Sequence, residues 1–224
     1  MHAWAKALSP ALALAGILAL LGPPASAQQF SADLIVKSAQ RQPAAATGKL
    51  YVGGTAVLAE IPGFSSGRFL IDIGADAAFF VIPPQRIFMD AKESSRLTQI
   101  LVAVDPRDPC EAWQAMAKVA GVADRGAHWQ CHLLGADAAG GHAALKYRAI
   151  SPRGDVDYAW IDPQLKFAVE FQFADGGGFA LDHIREGTQP AALFTIPTDY
   201  RKFDPQRLIE RIKQSDVWVD PPKQ

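Results

Sequence analysis

The sequence predicts an α+β protein built on a large curved antiparallel sheet, a half-open β-barrel with helices covering its concave face. Segments with strand-like alternation occur in two blocks, joined by short turns rich in Gly and Pro. The stretch between the two blocks changes to helical spacing of its apolar residues. Residues 165–173 alternate apolar and polar side chains, which is typical of an antiparallel sheet with one buried and one hydrated face.

The first block predicts strands and tight turns over residues 30–91. Residues 30–38 form a first strand, and residues 48–63 form two short strands around Gly53-Gly54, or one long strand with a glycine bulge. Residues 68–74 form the next strand. Residues 78–91 form a hairpin around Pro83-Pro84-Gln85.

The middle of the chain predicts two helices. Residues 93–104 carry apolar side chains at helical spacing: Leu97, Ile100, Leu101 and Val104. Asp108-Pro109 begins the second helix, because aspartate suits the N-cap and proline the first turn. Trp113 belongs to its apolar stripe, and Gly121 ends it.

The second block predicts two hairpins, a further strand and a last helix. The hairpins pair residues 129–137 with 142–150 and residues 157–162 with 165–173, and residues 179–187 form the further strand. The last helix begins at Asp204-Pro205 and buries Leu208, Ile209 and Ile212.

The N-terminus has the features of a secretory signal peptide. Lys6 precedes an apolar run, and Ala25-Ser26-Ala27 forms a cleavage site, so residues 1–27 are predicted to be removed. Residues 28–219 then form one domain and residues 220–224 a frayed tail. No later stretch predicts a transmembrane helix. The expected location is the periplasm, with secretion as the alternative.

The charge of the mature chain gives no reason to expect nucleic acid or an anionic membrane surface as a partner. Removing Lys6 from 22 basic residues leaves 21 against 23 acidic ones, a net charge of −2. Exported proteins meet an oxidising environment, so Cys110 and Cys131 are predicted to form a disulfide, with two buried free thiols as the alternative.

Several segments together resemble a known superfamily. They are FSADLIV after the signal, GKLYVGG, FLIDIG, FFVIPPQRIFMDA, DPCEAW, WQCHLLGADAAGGHAALKY, YAWIDPQLKFAVEF, HIREGTQPAALFTIP and DYRKFDP. In this order they resemble the periplasmic lipoprotein-carrier-like (LolA/LolB-type) half-barrels, in particular a branch of exported bacterial proteins of unestablished function. The resemblance implies the half-barrel fold and a cavity that holds acyl chains between sheet and helices.

Residues 69–76, FLIDIGAD, are similar to the active-site signature of retropepsin-type aspartic proteases. The family carries Thr or Ser after its aspartate, whereas Ile73 follows Asp72 here and has no hydroxyl. Leu133-Leu134-Gly135 lies where a second signature would be expected, but turn-like sequence follows it instead of a helix. The string is therefore interpreted as a strand that ends at a glycine turn, and catalysis by Asp72 is the weaker alternative.

Two histidine groups suggest other chemistry only weakly. His128, His132 and His142 could approach one another across a hairpin, but the spacing specifies no metal site. Asp182-His183 has no Gly-x-Ser-x-Gly elbow to supply a nucleophile. We therefore expect no metal, no cofactor and no catalytic residue.

An apolar stripe is the main candidate for a binding surface. Its residues are predicted to line the concave face, either as ordinary core or as the wall of a cavity: Phe69, Ile71, Phe167, Val169, Phe171 and Phe173. With the resemblance, the stripe predicts an exported, monomeric, non-enzymatic protein that binds an amphiphile such as a lipid or a lipidated chain. The alternatives are a structural or partner-binding envelope protein, and an aspartic peptidase that uses Asp72.

Overall fold

A computed structural model describes residues 28–37, 39, 46–61, 66–92, 95–121, 128–207 and 210. The predicted signal peptide and the tail at 220–224 lie outside these residues. Twelve strands are found within the described part: β1 Gln29–Lys37, β2 Ala46–Gly53, β3 Ala56–Glu60, β4 Arg68–Asp72, β5 Ala77–Ile82, β6 Ile87–Asp90, β7 Gln130–Ala139, β8 His142–Ile150, β9 Val156–Asp162, β10 Phe167–Gln172, β11 Gly178–Glu186 and β12 Arg201–Lys202. Two α-helices, α1 Leu97–Ile100 and α2 Pro109–Val119, separate β6 from β7.

All twelve strands belong to one sheet, in the order β12-β6-β5-β4-β3-β2-β1-β11-β10-β9-β8-β7. Neighbouring strands pair antiparallel, as predicted, apart from the two-residue β12, which runs parallel to β6. The pairing of β1 with β11 joins the two blocks of the chain at the middle of the sheet. Of the two predicted alternatives around Gly53-Gly54, two short strands are therefore correct, because β2 and β3 pair with each other and are not one bulged strand.

The sheet curves around α2. Side chains from strands far apart in the sheet, such as Ile71 of β4 and Tyr147 of β8, belong to one buried hydrophobic cluster. Trp113 of α2 is fully buried in the same cluster. A flat sheet would hold these strands too far apart to share one core around a single helix, because neighbouring strands lie about 4.8 Å apart. The predicted half-open architecture is confirmed.

The first predicted helix is much shorter than residues 93–104. Among residues 95–104, which the structure describes, Leu97–Ile100 is helical, and Leu101 leaves the helix with φ −80° and ψ 65°. Ile100, Leu101 and Val102 are all buried. Three consecutive side chains of a surface helix point in directions 100° apart and cannot all face one core. The irregular backbone after Ile100 allows all three to do so.

A second, smaller core lies on the opposite face of the sheet and was not predicted. Leu58, Leu70 and Val81 are buried there. The segment that follows β11 covers them with the 3-10 turn Ala191–Phe194 and with Tyr200. The polar face expected of these strands is therefore covered by the chain near its C-terminus.

The start of the last predicted helix is described. Residues 205–207 are helical, and Asp204 Oδ1 accepts hydrogen bonds from the backbone N–H groups of Gln206 (3.0 Å) and Arg207 (3.2 Å). The predicted buried stripe Leu208, Ile209 and Ile212 lies outside the residues whose side chains are described. In the described part of the chain, no helix has the length and apolar character needed to cross a bilayer.

Candidate functional site

The predicted apolar stripe belongs to the main hydrophobic core, and we call it the apolar floor. All six of its residues are buried in the same cluster: Phe69, Ile71, Phe167, Val169, Phe171 and Phe173. The ring of Phe171 is central, with its centroid 5.4 Å from Trp113 and 5.2 Å from Phe173. In this conformation helices cover the stripe, and its use as a ligand-binding surface stays a prediction.

One part of the cover is fixed to the sheet by a covalent bond. Cys110 at the start of α2 forms a disulfide with Cys131 of β7, with a Cα–Cα distance of 5.7 Å. The predicted pairing is confirmed. Trp129, just before β7, packs its ring 5.7 Å from that of Trp113. Helix α2 is thus held at its first turn and along its buried face.

The other part of the cover is residues 96–104, which we call the lid segment. It contributes Ile100, Leu101 and Val102 to the core but contains only the four helical residues of α1. Its far end is held by a backbone hydrogen bond from Val104 N–H to Lys166 O, 2.9 Å long. Hydrophobic packing provides most of its attachment to the sheet.

Arg96 holds the near end of the lid segment. Its guanidinium lies 3.8 Å from the ring centroid of Phe173 and forms ion pairs with Asp157 (3.5 Å) and Asp175 (3.2 Å). We call these four residues the clasp. Arg96 precedes α1, whereas its partners belong to β9 and to the residues after β10, so the clasp joins the lid segment to the sheet.

Asp157 is the unusual member of the clasp, because its side chain is 0% exposed. Its Oδ1 accepts a 2.8 Å hydrogen bond from Ala174 N–H, whereas Oδ2 has no hydrogen-bond partner among the described residues. Burial raises the pKa of the Asp157 carboxyl; the Ala174 N–H and Arg96 oppose that rise, and the nearby Asp155 and Asp175 add to it.

A small cavity of about 40 Å³ lies beside the clasp. Arg96, Trp129, Ser151, Asp155, Asp157 and Phe173 are among the residues that line it. The indole N–H of Trp129 is buried and, like Asp157 Oδ2, has no partner among the described residues. Asp157 and Trp129 both line the cavity, whereas Oδ2 of Asp157 and the indole nitrogen of Trp129 are themselves buried.

The sequence carries one signal for this site, in strand β9. Asp157, Ala159 and Ile161 alternate along β9 and are all buried, so Asp157 occupies a core-facing position of the strand. A carboxylate in such a position is uncommon and often marks function. Arg96 and Phe173 are far from it in the chain, and their meeting depends on the fold.

Asp72 has a local structural role. It ends β4, and its Oδ1 accepts hydrogen bonds from Gly74 N–H (2.9 Å) and Thr55 Oγ1 (3.1 Å). It thereby caps the 3-10 turn Ile73–Ala75 that leads into β5. The interpretation of FLIDIGAD as a strand that ends at a glycine turn is confirmed.

The histidines lie in separate places. His142 Nδ1 is 3.1 Å from Asp162 Oδ2, and His183 Nδ1 is 3.0 Å from Asp33 Oδ2 on the other face of the sheet. His128 and His132 are exposed. Within the described ranges, no three potential metal ligands come together.

Comparison with known proteins finds similar folds only among solved structures. No protein-family model matches the chain, and no curated protein does. An uncharacterised conserved protein from Thermus thermophilus is similar with 12% identity and a TM-score of 0.46, over 79% of this chain and 90% of that one.

Two further similar structures come from other bacteria. The MucA/MucB complex of Pseudomonas aeruginosa has 11% identity and a TM-score of 0.36, over 78% of this chain and 58% of that one. A domain named for outer membrane lipoprotein sorting, from Vibrio parahaemolyticus, has 10% identity and a TM-score of 0.35, over 76% of this chain and 90% of that one. The similarity is one of backbone architecture.

Proposed function

We propose that this protein is exported to the periplasm and binds an amphiphile, a lipid or a lipidated chain, on the concave face of its sheet. The observation that carries the proposal is the unequal attachment of the two parts of the cover. Helix α2 is joined to the sheet by a disulfide, whereas the lid segment is held by the clasp, one backbone hydrogen bond at Val104 and apolar packing.

Opening would expose a continuous apolar floor. When the lid segment moves outward, Ile100, Leu101 and Val102 leave the core, and the Arg96 guanidinium leaves the ring of Phe173. An acyl chain that takes the vacated place restores this burial, and each buried methylene contributes about 0.8 kcal/mol. The ligand thus offsets the loss of packing that opening causes.

Export is supported by two features of the chain. Residues 1–27 have the features of a signal peptide, and the Cys110–Cys131 disulfide is of the kind that persists in oxidising compartments. Both agree with a periplasmic location for the mature chain.

The first experiment is a detergent-free purification from the periplasm, followed by extraction with organic solvent and mass spectrometry. A lipid at close to one equivalent per protein is the expected result. An Arg96→Met variant, which lacks the clasp cation but keeps a long side chain, should exchange a fluorescent fatty acid faster than the wild type. Arg86→Met is the matched control, because Arg86 pairs with Asp199 at the exposed surface.

A folded protein whose extract contains no amphiphile, and which binds none when a fluorescent fatty acid is added, would overturn the proposal. A bound amphiphile whose exchange rate is the same in Arg96→Met and in the wild type would overturn the lid mechanism alone.

A specific observation favours a second candidate function, binding of a protein partner. Leu133 is 56% exposed and Leu134 is 54% exposed, and both lie on β7 at the edge of the sheet. Exposed leucines beside unpaired backbone groups of an edge strand are features of a surface where another chain can add. Loss of a periplasmic complex in a Leu133→Lys, Leu134→Lys variant, with lipid binding unchanged, would support this candidate.

A further inference from the structure

An open groove of about 500 Å³ lies where β1 pairs with β2 and β11, and we call it the outer groove. Ala32 and its alternate neighbours Phe30 and Leu34 are buried in the main core. The residues between them, Ser31 and Asp33, therefore point to the opposite face of the sheet, where they line the groove. A ligand in the outer groove would bind away from the apolar floor.

A bulge in β11 places His183 in the outer groove. Ser31 of β1 lies opposite Arg185. Asp33 lies opposite Asp182, so β11 has two residues where β1 has one. His183 has a left-handed backbone with φ 48°, and its Nδ1 lies 3.0 Å from Asp33 Oδ2, whereas regular alternation would turn it toward the core. Bulges that redirect a side chain and left-handed backbone in residues other than glycine both occur often at functional sites.

The Asp33 carboxylate holds the imidazole ring of His183. Hydrogen bonds from Lys49 and from His183 lower the pKa of the Asp33 carboxyl, so it is ionised at neutral pH. A carboxylate only accepts hydrogen bonds, so Nδ1 of the ring carries a proton toward Asp33. Nε2, on the far side of the ring, is left to contact a ligand, and it is a donor when the ring is protonated.

Three donor side chains form a row beside this pair. Tyr51, Ser31 and Arg185 lie on β2, β1 and β11, and Ser31 is the register partner of both others. Within the described part of the chain, none of the three side chains forms a hydrogen bond or an ion pair. Because neighbouring strands lie about 4.8 Å apart, the row spans about 10 Å and offers two hydroxyls and a guanidinium.

The charge of the outer groove favours an anion. Among its lining residues, Lys49 and Arg185 exceed Asp33 by one positive charge, and a protonated His183 adds a second. Asp182 Oδ2 lies 3.6 Å from His183 Nδ1 and offsets that second charge. One positive charge therefore remains, and the guanidinium that carries it has no carboxylate partner among the described residues.

The arrangement of donors favours a phosphate over a carboxylate. A carboxylate presents two oxygens in one plane, whereas a phosphate group presents oxygens in several directions and can accept from more than one strand. A guanidinium also matches phosphate geometry through two parallel hydrogen bonds. The groove is larger than a phosphate group, so the remainder of an ester fits beside it.

We propose that the outer groove binds a phosphate ester, whose oxygens accept hydrogen bonds from Arg185, Ser31 and Tyr51 while Lys49 and His183 add positive charge beside it. The site lies on the other face of the sheet from the proposed amphiphile site and is independent of it. Its ligand is a phosphate ester either free in solution or on a lipid surface.

The test titrates inorganic phosphate and acetate into ¹⁵N-labelled protein purified from the periplasm. At about pH 6 both probes are largely monoanions, so their charge does not distinguish them. The backbone amide signals of Ser31 and Arg185 are followed by NMR. We expect phosphate to shift both signals with a dissociation constant at least about tenfold lower than that of acetate. Equal affinities, or no shift with phosphate, would overturn the proposal.

Variants test the named contacts. Arg185→Met should weaken phosphate binding at least about tenfold, whereas the matched control Arg201→Met, at an exposed arginine of β12, should change it by less than about twofold. His183→Asn keeps a residue that tolerates the left-handed backbone but removes the imidazole, and it should weaken binding at least about threefold. Equal affinities of Arg185→Met and Arg201→Met would overturn the proposal. If Arg185→Met does not fold, Tyr51→Phe, which loses only a hydroxyl, replaces it, with a loss of about threefold expected.

Two further probes identify the source of the ester. Glycerol phosphate is a soluble ester, and phosphatidylcholine vesicles that contain phosphatidic acid present the phosphate on a membrane surface. Binding of glycerol phosphate alone would support a soluble ligand. Sedimentation of the protein with the vesicles that is lost in Arg185→Met would support a lipid surface. Binding of neither would overturn the ester ligand, whatever the protein carries on its apolar floor.

Discussion

Removal of the Arg96 side chain should reveal how much the clasp contributes to stability. In Arg96→Met the ion pairs with Asp157 and Asp175 are lost, and the guanidinium no longer lies 3.8 Å over Phe173. A cation–π contact at a partly exposed site contributes about 0.5–1 kcal/mol. Charge-assisted hydrogen bonds contribute about 1.5–3 kcal/mol.

The geometry of the contact between Arg96 and Asp157 reduces the contribution expected from the charge-assisted hydrogen bonds. The contact to Asp157 is long, at 3.5 Å, and the Arg96 side chain is 38% exposed, so solvent screens part of the attraction. We therefore expect Arg96→Met to lower the free energy of unfolding by about 2 kcal/mol in total. The matched control Arg86→Met, whose side chain is 72% exposed, should lower it by less than about 0.5 kcal/mol.

A double-mutant cycle with Asp157→Asn isolates the pair. Arg96→Met leaves a buried carboxylate without its cation, and Asp157→Asn removes that charge, so the second change should recover about 1 kcal/mol in the Arg96→Met background. Urea unfolding followed by tryptophan fluorescence measures all four proteins. Losses that add to within about 0.3 kcal/mol would refute the idea that Arg96 and Asp157 are coupled.

Three further predictions concern other parts of the chain. Replacing Cys110 and Cys131 together by alanine should lower the free energy of unfolding by about 3.3 kcal/mol, because the disulfide closes a loop with a sequence separation of 21. Reduction of the wild type with a thiol should lower the free energy of unfolding in urea by the same amount. An unchanged free energy of unfolding would contradict this prediction. Because the pKa of Asp157 is raised above 3.8 in the folded state, the stability of the wild type relative to Asp157→Asn should fall as pH rises from 3.8 through the folded-state pKa. Urea midpoints of both proteins between pH 3 and 7 measure this difference. A stability of the wild type, relative to the variant, that increases with pH would contradict the prediction. Asp72→Ala should lower the free energy of unfolding by about 1 kcal/mol, because the cap of the turn is lost, and should leave lipid binding unchanged. A peptidase activity of the wild type that this variant abolishes would support the protease interpretation instead.

The sequence was informative wherever structure is local. The alternation of Phe167, Val169 and Phe171 predicted a strand with one buried face, and the turn residues between strands predicted the hairpins. Both signals depend only on neighbours in the chain. The pairing of Cys110 with Cys131 could also be predicted, because the predicted signal peptide implies an oxidising compartment and the chain contains two cysteines.

The remaining features depend on contacts between distant residues. The helix predicted for 93–104 is interrupted because Leu101 and Val102 are both buried in the core. The spacing of apolar residues in the sequence does not show this. Leu70 lies on the face of β4 opposite Phe69 and Ile71, and the segment that buries it there lies more than a hundred residues later in the chain. The clasp was missed for the same reason, since Arg96 meets Asp157 only in the folded chain.

The position of β1 in the sheet has a consequence for how the molecule folds. Strand β1 pairs with its sequence neighbour β2 and also with β11, where Phe30 lies opposite Glu186, so it joins the two halves of the sheet. The two halves of the sheet therefore cannot join until β11 is available to pair with β1. Contacts between residues so distant in sequence slow folding, because the entropy of closing the long loop is lost before the stabilising contacts form. The side of β1 that faces β11 is thus among the last parts of the sheet to pair.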